Sequence, residues 1–157
     1  MAEIKEIERA KEIFELICAA LDSREWKYQR EEEDMVIHFG VRGDDIPMRL
    51  VIHVDADRQM IRMMSPIGFN MSEDKRIEGA IATCAASFSL VDGSFDYDIS
   101  DGKIVFRATQ SYRDSQIGEE TIQYMLSMTC SVVDEFNDKF LALSKGMIDI
   151  ADFLKEE

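Results

Sequence analysis

Proline is nearly missing from this chain, two in 157 residues, and glycine is held to eight. With no Pro-, Gly- or Ser-rich stretch there is no linker to divide it. A length of 157 residues suits one domain that buries roughly 70% of the surface of its unfolded chain, so the sequence is read as a single domain over 1–157. Cysteine is scarce and odd in number. Cys18, Cys84 and Cys130 each fall in an apolar helical pattern and match no zinc spacing. The expectation is three buried, reduced thiols in a cytoplasmic protein, with no disulfide, catalytic thiol or cofactor. Continuous apolar runs are lacking too: the N-terminal MAEIKEIERAKEIFELICAAL is acidic and amphipathic, which reads as neither a signal peptide nor a membrane span. Basic residues are the last shortage. Eighteen Lys and Arg stand against thirty-two Asp and Glu, a net charge of −14. That field repels nucleic acid and anionic membrane surfaces and leaves attraction of a basic protein partner open.

What is present is periodic. Ile4, Ile7, Phe14, Cys18 and Leu21, widened by Ile13 and Ile17, predict a helix over 3–22. Four short β segments follow at 26–31, 35–42, 48–55 and 59–65, separated by polar turns, which is a meander. Pro66 and Gly68 stop the last of them, and Ser72, as N-cap ahead of Glu73 and Asp74, opens a second helix. Its stripe is Ile77, Ile81, Cys84 and Phe88, while Gly79, Ala80, Ala82, Ala85 and Ala86 keep it thin. A thin helix packs closely on a sheet or on its own copy across a two-fold axis; in the second case Ile77, Ala80 and Ile81 form a dimer interface. The longest helix starts at Gly118-Glu119-Glu120 and carries Ile122, Leu126, Val133, Phe136, Phe140 and Leu143 to Gly146 as its C′ residue. The closing MIDIADFLKEE adds a short helical segment presenting Ile148, Phe153 and Leu154.

Between the second and third helices lies SFDYDISDGKIVFRAT. Asp101-Gly102 suits a two-residue type I′ turn, which sets Ser100 opposite Lys103, Tyr97 opposite Phe106 and Asp96 opposite Arg107. One face is then apolar, the other charged. The order helix, meander, helix, hairpin, helix predicts an α+β fold: an antiparallel sheet with helices largely on one side.

Candidate chemistry is thin. Pairing Val41 with Leu50 places His38 opposite His53, a possible transition-metal pair, but two imidazoles with no third ligand make a weak site and read better as ordinary polar-face residues. Glu31 to Asp34, with Asp44 and Asp45, lack the spacing and central Gly of a calcium loop. Asp96 and Asp98 are better explained by a cross-strand pair with Arg107 than by acid–base chemistry. No catalytic or metal residue is assigned. Of ten methionines, most belong to the core, yet Met60 and Met64 share a strand face with Arg62, and these three are the candidate partner-binding residues.

The whole pattern resembles the YbjN family of bacterial proteins, whose fold is similar to that of type III secretion chaperones. The residues that carry it are the amphipathic first helix, the meander VIHFGV, LVIHVD and MIRMMS, and the run ATCAASFSLVDGSFDYDISDGKIVFRAT with Gly93 and Asp101-Gly102 at its turns. Where the family often has an Asn near the end of the second helix, Ala86-Ser87-Phe88 stands here. The resemblance implies a non-enzymatic, cytoplasmic regulator or chaperone-like module, and a homodimer. Together with the lack of catalytic motifs it favours a protein-binding module that uses an exposed sheet face or edge and apolar helix surface. The competing reading is a small-ligand binder or enzyme whose site is assembled from residues distant in sequence.

Overall fold

The computed structural model describes residues 1–155. Helix α1 spans Ile4–Ser23, and a meander follows: β1 (Gln29–Glu31), β2 (Val36–Val41), β3 (Met48–Asp55) and β4 (Met60–Asn70). A 3-10 turn at Glu73–Lys75 leads into α2 (Arg76–Phe88), then β5 (Ser94–Asp98), β6 (Lys103–Ser111), α3 (Glu119–Ser144) and α4 (Ile150–Lys155). The six strands form one antiparallel sheet in the order β1-β2-β3-β4-β6-β5. The helices pack on one face of it, and the fold is α+β as the periodicity predicts. Ile37, Phe39, Leu50, Ile52, Val54, Ile61 and Met63 point from the sheet into the core, where Ile13, Ile17 and Leu21 of α1 and Ile122, Val133 and Phe140 of α3 are also buried.

Several strand details differ from expectation. The β2–β3 register is two residues off: Val41 faces Met48, not Leu50, and Phe39 faces Leu50. A shift of two preserves which face each side chain occupies, and the observed register covers Met48, which the alternative leaves without an apolar opposite. Strand β1 is only three residues because the chain turns at Glu25, whose φ is 58°, and Trp26 packs its ring on Phe39 at 5.2 Å instead of extending the ladder. Pro66 and Gly68 do not stop β4. Its ladder with β3 ends at Met64, so Pro66 needs no N–H on that side, and an irregularity between Pro66 and Asn70 absorbs the bend while pairing with β6 continues.

The hairpin also shifts by two. Asp98 faces Lys103, Tyr97 faces Ile104 and Phe95 faces Phe106, which leaves a four-residue loop at 99–102. Only Gly102 has a positive φ, 79°, whereas type I′ needs it at Asp101 as well. The Asp98 carboxylate organises the wider loop by accepting from the Ser100 N–H at 2.9 Å and its hydroxyl at 2.6 Å. Gly102 also abuts β4's end: the Met71 N–H donates to its carbonyl at 2.8 Å, and a Cβ there would lie 2.4 Å from the Met71 carbonyl oxygen. Ile99 is left exposed in the loop.

Of the two packings the sequence leaves open for α2, the structure shows the small face against the sheet. The buried residues of α2 are Gly79, Ala82, Thr83 and Ala86, and the stripe of Ile77, Ile81, Cys84 and Phe88 faces outward. Close approach explains the choice. The Tyr97 hydroxyl donates to the Arg76 carbonyl at 2.7 Å beneath Gly79, where a Cβ would come within 2.6 Å of that hydroxyl. Only the small face fits so near the sheet. Ser72 does not cap the following turn with its side chain; its hydroxyl donates to the Ser144 carbonyl at 2.9 Å and its N–H to Ser144 Oγ at 3.0 Å, tying the entry of α2 to the end of α3. Helix α3 ends in a Schellman motif: the N–H groups of Gly146 and Met147 bond the Leu143 and Ala142 carbonyls. The chain then folds back, and α4 lays Phe153 on Phe140 at 5.5 Å. Ile148 is half-buried, Leu154 is exposed, and Glu156 and Glu157 of that segment lie outside the described residues.

Candidate functional site

Two surfaces stand out. The first is the outward face of α2. Ile77 is 69% exposed and Phe88 93%; Ile81 and Cys84 are also exposed, and Ala80 is half-buried. Between this face and the C-terminal helix runs a groove of ≈ 680 Å³ lined by Ile81, Cys84, Phe88, Phe136, Phe153 and Leu154. Ile77, Ala80 and Ile81 thus share one surface. Cys84 departs from the expectation of three buried thiols, since it rides on the exposed stripe; Cys18 is buried and Cys130 half-buried. Burial raises both of the latter thiols' pKa values.

The second is a cleft of ≈ 540 Å³ at the far end of β4 and β6. Met60 and Arg62 line it from β4, Arg107 and Thr109 from β6, and Tyr124, Met125 and Met128 from α3. Met60, Arg62 and Met64 are all half-buried on the outer face, but Met64 lies outside the cleft.

Arg62 is the centre of a polar network. Its Nη2 lies 2.8 Å from His53 Nδ1 and 3.3 Å from Asp55 Oδ2. Arg58 adds a second guanidinium, 3.2 Å from the same Asp55 oxygen, and its N–H donates to Asp55 Oδ1 at 3.0 Å. Burial by itself would raise the Asp55 carboxyl, but the hydrogen bonds from Arg58 and the two positive charges together outweigh it and hold the group below the ordinary range. Burial, then the charge of Arg62, pushes His53 down. The imidazole therefore accepts from the guanidinium in its neutral form.

The histidines do not face one another. With the register shifted, His38 lies opposite Val51 and His53 opposite Val36, and His38 pairs instead with Glu31 at 3.1 Å. Among the described residues no group of three or more His, Cys, Asp or Glu is placed to hold a metal ion. Asp96 does pair with Arg107, through Nε at 3.0 Å and Nη2 at 3.2 Å, but diagonally, because Arg107 is opposite Ser94.

No family model matches this chain, and no curated protein does either. The described helices include none long and apolar enough to cross a membrane.

Sequence reasoning missed Arg58, Arg107 and Tyr124 as neighbours of Met60, since they come from three separate elements. It gave α2 two faces and left open whether the small one meets the sheet or a second copy. The signal was there: a helix with a face of Gly and Ala opposite one of Ile and Phe turns its small side to whatever it must approach closely.

Proposed function

We propose that the chain is a non-enzymatic protein-binding module that pairs with a second copy through α2 and holds a partner polypeptide on the outer sheet face around Met60, Arg62 and Met64, as a chaperone-like or signalling regulator of the YbjN type. The observation that carries this reading is the outward apolar stripe of α2. Fully burying an Ile or Phe side chain is worth about 1.5–3 kcal/mol, so exposing Ile77, Ile81 and Phe88 together makes a lone copy costly.

A second copy suits the stripe better than another occupant. The positions 77, 80, 81, 84, 85 and 88 carry no charge, which removes repulsion at the contact in a chain of −14. Their spacing is symmetric about its midpoint. Across a two-fold axis with the helices antiparallel, Ile77 meets Phe88 of the second copy, Ala80 meets Ala85, and Ile81 meets Cys84. Such self-complementarity is what an isologous contact requires, and the alanines allow the helices to close in.

Cross-linking tests it. Cys84 sits near the axis, so a short bismaleimide should join two copies of the native protein at low concentration, and Cys84→Ser should abolish the product. Cross-linking no greater than random collision gives would remove the pairing from the reading.

A further inference from the structure

The cleft beside Met60 has an open strand edge as its floor. Strand β5 pairs with β6 only from Lys103 to Arg107, yet β6 continues to Ser111. The direction of the free groups follows from one hydrogen bond. The Phe95 N–H points away from β6 and donates to Ser87 Oγ at 2.9 Å, so Ser94 faces β6, and its opposite, Arg107, faces β5. By the strand's period of two, Thr109 and Ser111 direct their N–H and C=O groups the same way, beyond the end of β5; the Ser111 carbonyl accepts from Gln110 Nε2 at 2.9 Å, so the groups offered are chiefly those of Thr109 and the Ser111 N–H. Ala108 and Gln110 direct theirs at β4, opposite Met63 and Ile61.

An unpaired edge at the base of a cleft is a template for an added strand. Side chains of such a strand would alternate between two chemistries. Those on the outer side would meet Arg62, Arg107 and Thr109, with Arg58 near; those on the inner side would meet Met125 and Met128. Three guanidiniums gather on the outer lining of an otherwise acidic molecule: Arg58 and Arg62 share the single carboxylate of Asp55, and Arg107 is held by Asp96 on its outer side. Asp92, the acid that lines the cleft among the described residues, already accepts from the Tyr124 hydroxyl.

We infer that the Thr109–Ser111 edge of β6 binds an extended peptide whose acidic and apolar residues alternate, acids towards the arginines and apolar side chains towards the methionines of α3. This rests on the protein-binding reading but uses a surface separate from α2. It also sets a local preference opposite to the basic partner that net charge alone favours.

The test uses the full chain and a fluorescent, blocked peptide alternating valine and glutamate, followed by anisotropy and by amide NMR. Binding should move the Thr109 and Ser111 amide signals, and a valine–lysine peptide should bind at least tenfold more weakly. Thr109→Pro removes an outward N–H without touching the β4 ladder and should weaken binding about tenfold. Backbone N-methylation of the peptide should do the same with the protein unaltered, which covers the case of a misfolded variant. No binding at millimolar peptide, equal binding of the lysine peptide, or no loss on N-methylation would each overturn the inference. The Ile81→Glu variant should bind the peptide as the wild type does, so loss of pairing through α2 and loss of the edge site are read separately.

Discussion

The hydroxyl of Tyr97 lies where a Cβ on Gly79 would need to be, 2.6 Å from that position, and this contact sets which way α2 faces. Donating to the Arg76 carbonyl, Tyr97 anchors the first turn of α2 over β5. With the small face committed to the sheet, the apolar stripe has nowhere to go but out.

Gly79→Ala should therefore destabilise the protein by about 1–3 kcal/mol through overpacking, although alanine is the better helix former by about 1 kcal/mol. Urea denaturation of the two proteins checks the sign. A more stable variant would mean that α2 does not lie as close to Tyr97 as described.

Much of the fold was legible because its signals are local. The spacing of Ile13, Ile17 and Leu21, and the alternation of Leu50, Ile52 and Val54, name their elements and buried faces without reference to the rest of the chain. Register was not legible: a slip of two keeps every side chain on its face, so pattern alone cannot separate Phe39 opposite Leu50 from Val41 opposite Leu50. The direction of α2 depends on Tyr97 and Met71, which come from other elements. The cleft depends on where β5 ends relative to β6, and no periodicity records that.

Stability should fall on acidification in two steps. His53 and Asp55 both have folded pKa values below their ordinary ones of 6.5 and 3.8, so beneath each value the unfolded chain holds more protons than the folded one, and stability rises with pH across both windows. The upper loss begins as pH drops below about 6.5 and continues through the folded value of His53; the lower begins below about 3.8. In His53→Gln, which keeps an acceptor for Arg62, the upper step should be missing from a plot of denaturation midpoint against pH.

Thiol reactivity should rank by exposure. Under native conditions Ellman's reagent should modify Cys84 first, with Cys130 and then Cys18 slower, since burial raises the pKa of both and lowers their thiolate fraction. The fast phase should vanish in Cys84→Ser. It should also slow as protein concentration rises, because the proposed pairing through α2 would cover that residue.

The bidentate Asp96–Arg107 pair lies on the open surface. A double-mutant cycle with alanine at both positions should give a coupling of about 0–1 kcal/mol that shrinks with added salt. A larger value would mark the hairpin's charged face as structurally important.

The central claim is that the outward stripe of α2 is an interface between copies. Sedimentation equilibrium of the wild type beside Ile81→Glu tests it most directly, because the charge falls at the middle of the stripe on an exposed residue and should leave the folded chain intact. The wild type should sediment with twice the 18.0 kDa mass of the chain, and Ile81→Glu with the single mass and an unchanged circular dichroism spectrum. A wild type that stays at the single mass into the high micromolar range, or a variant that stays paired, would contradict it.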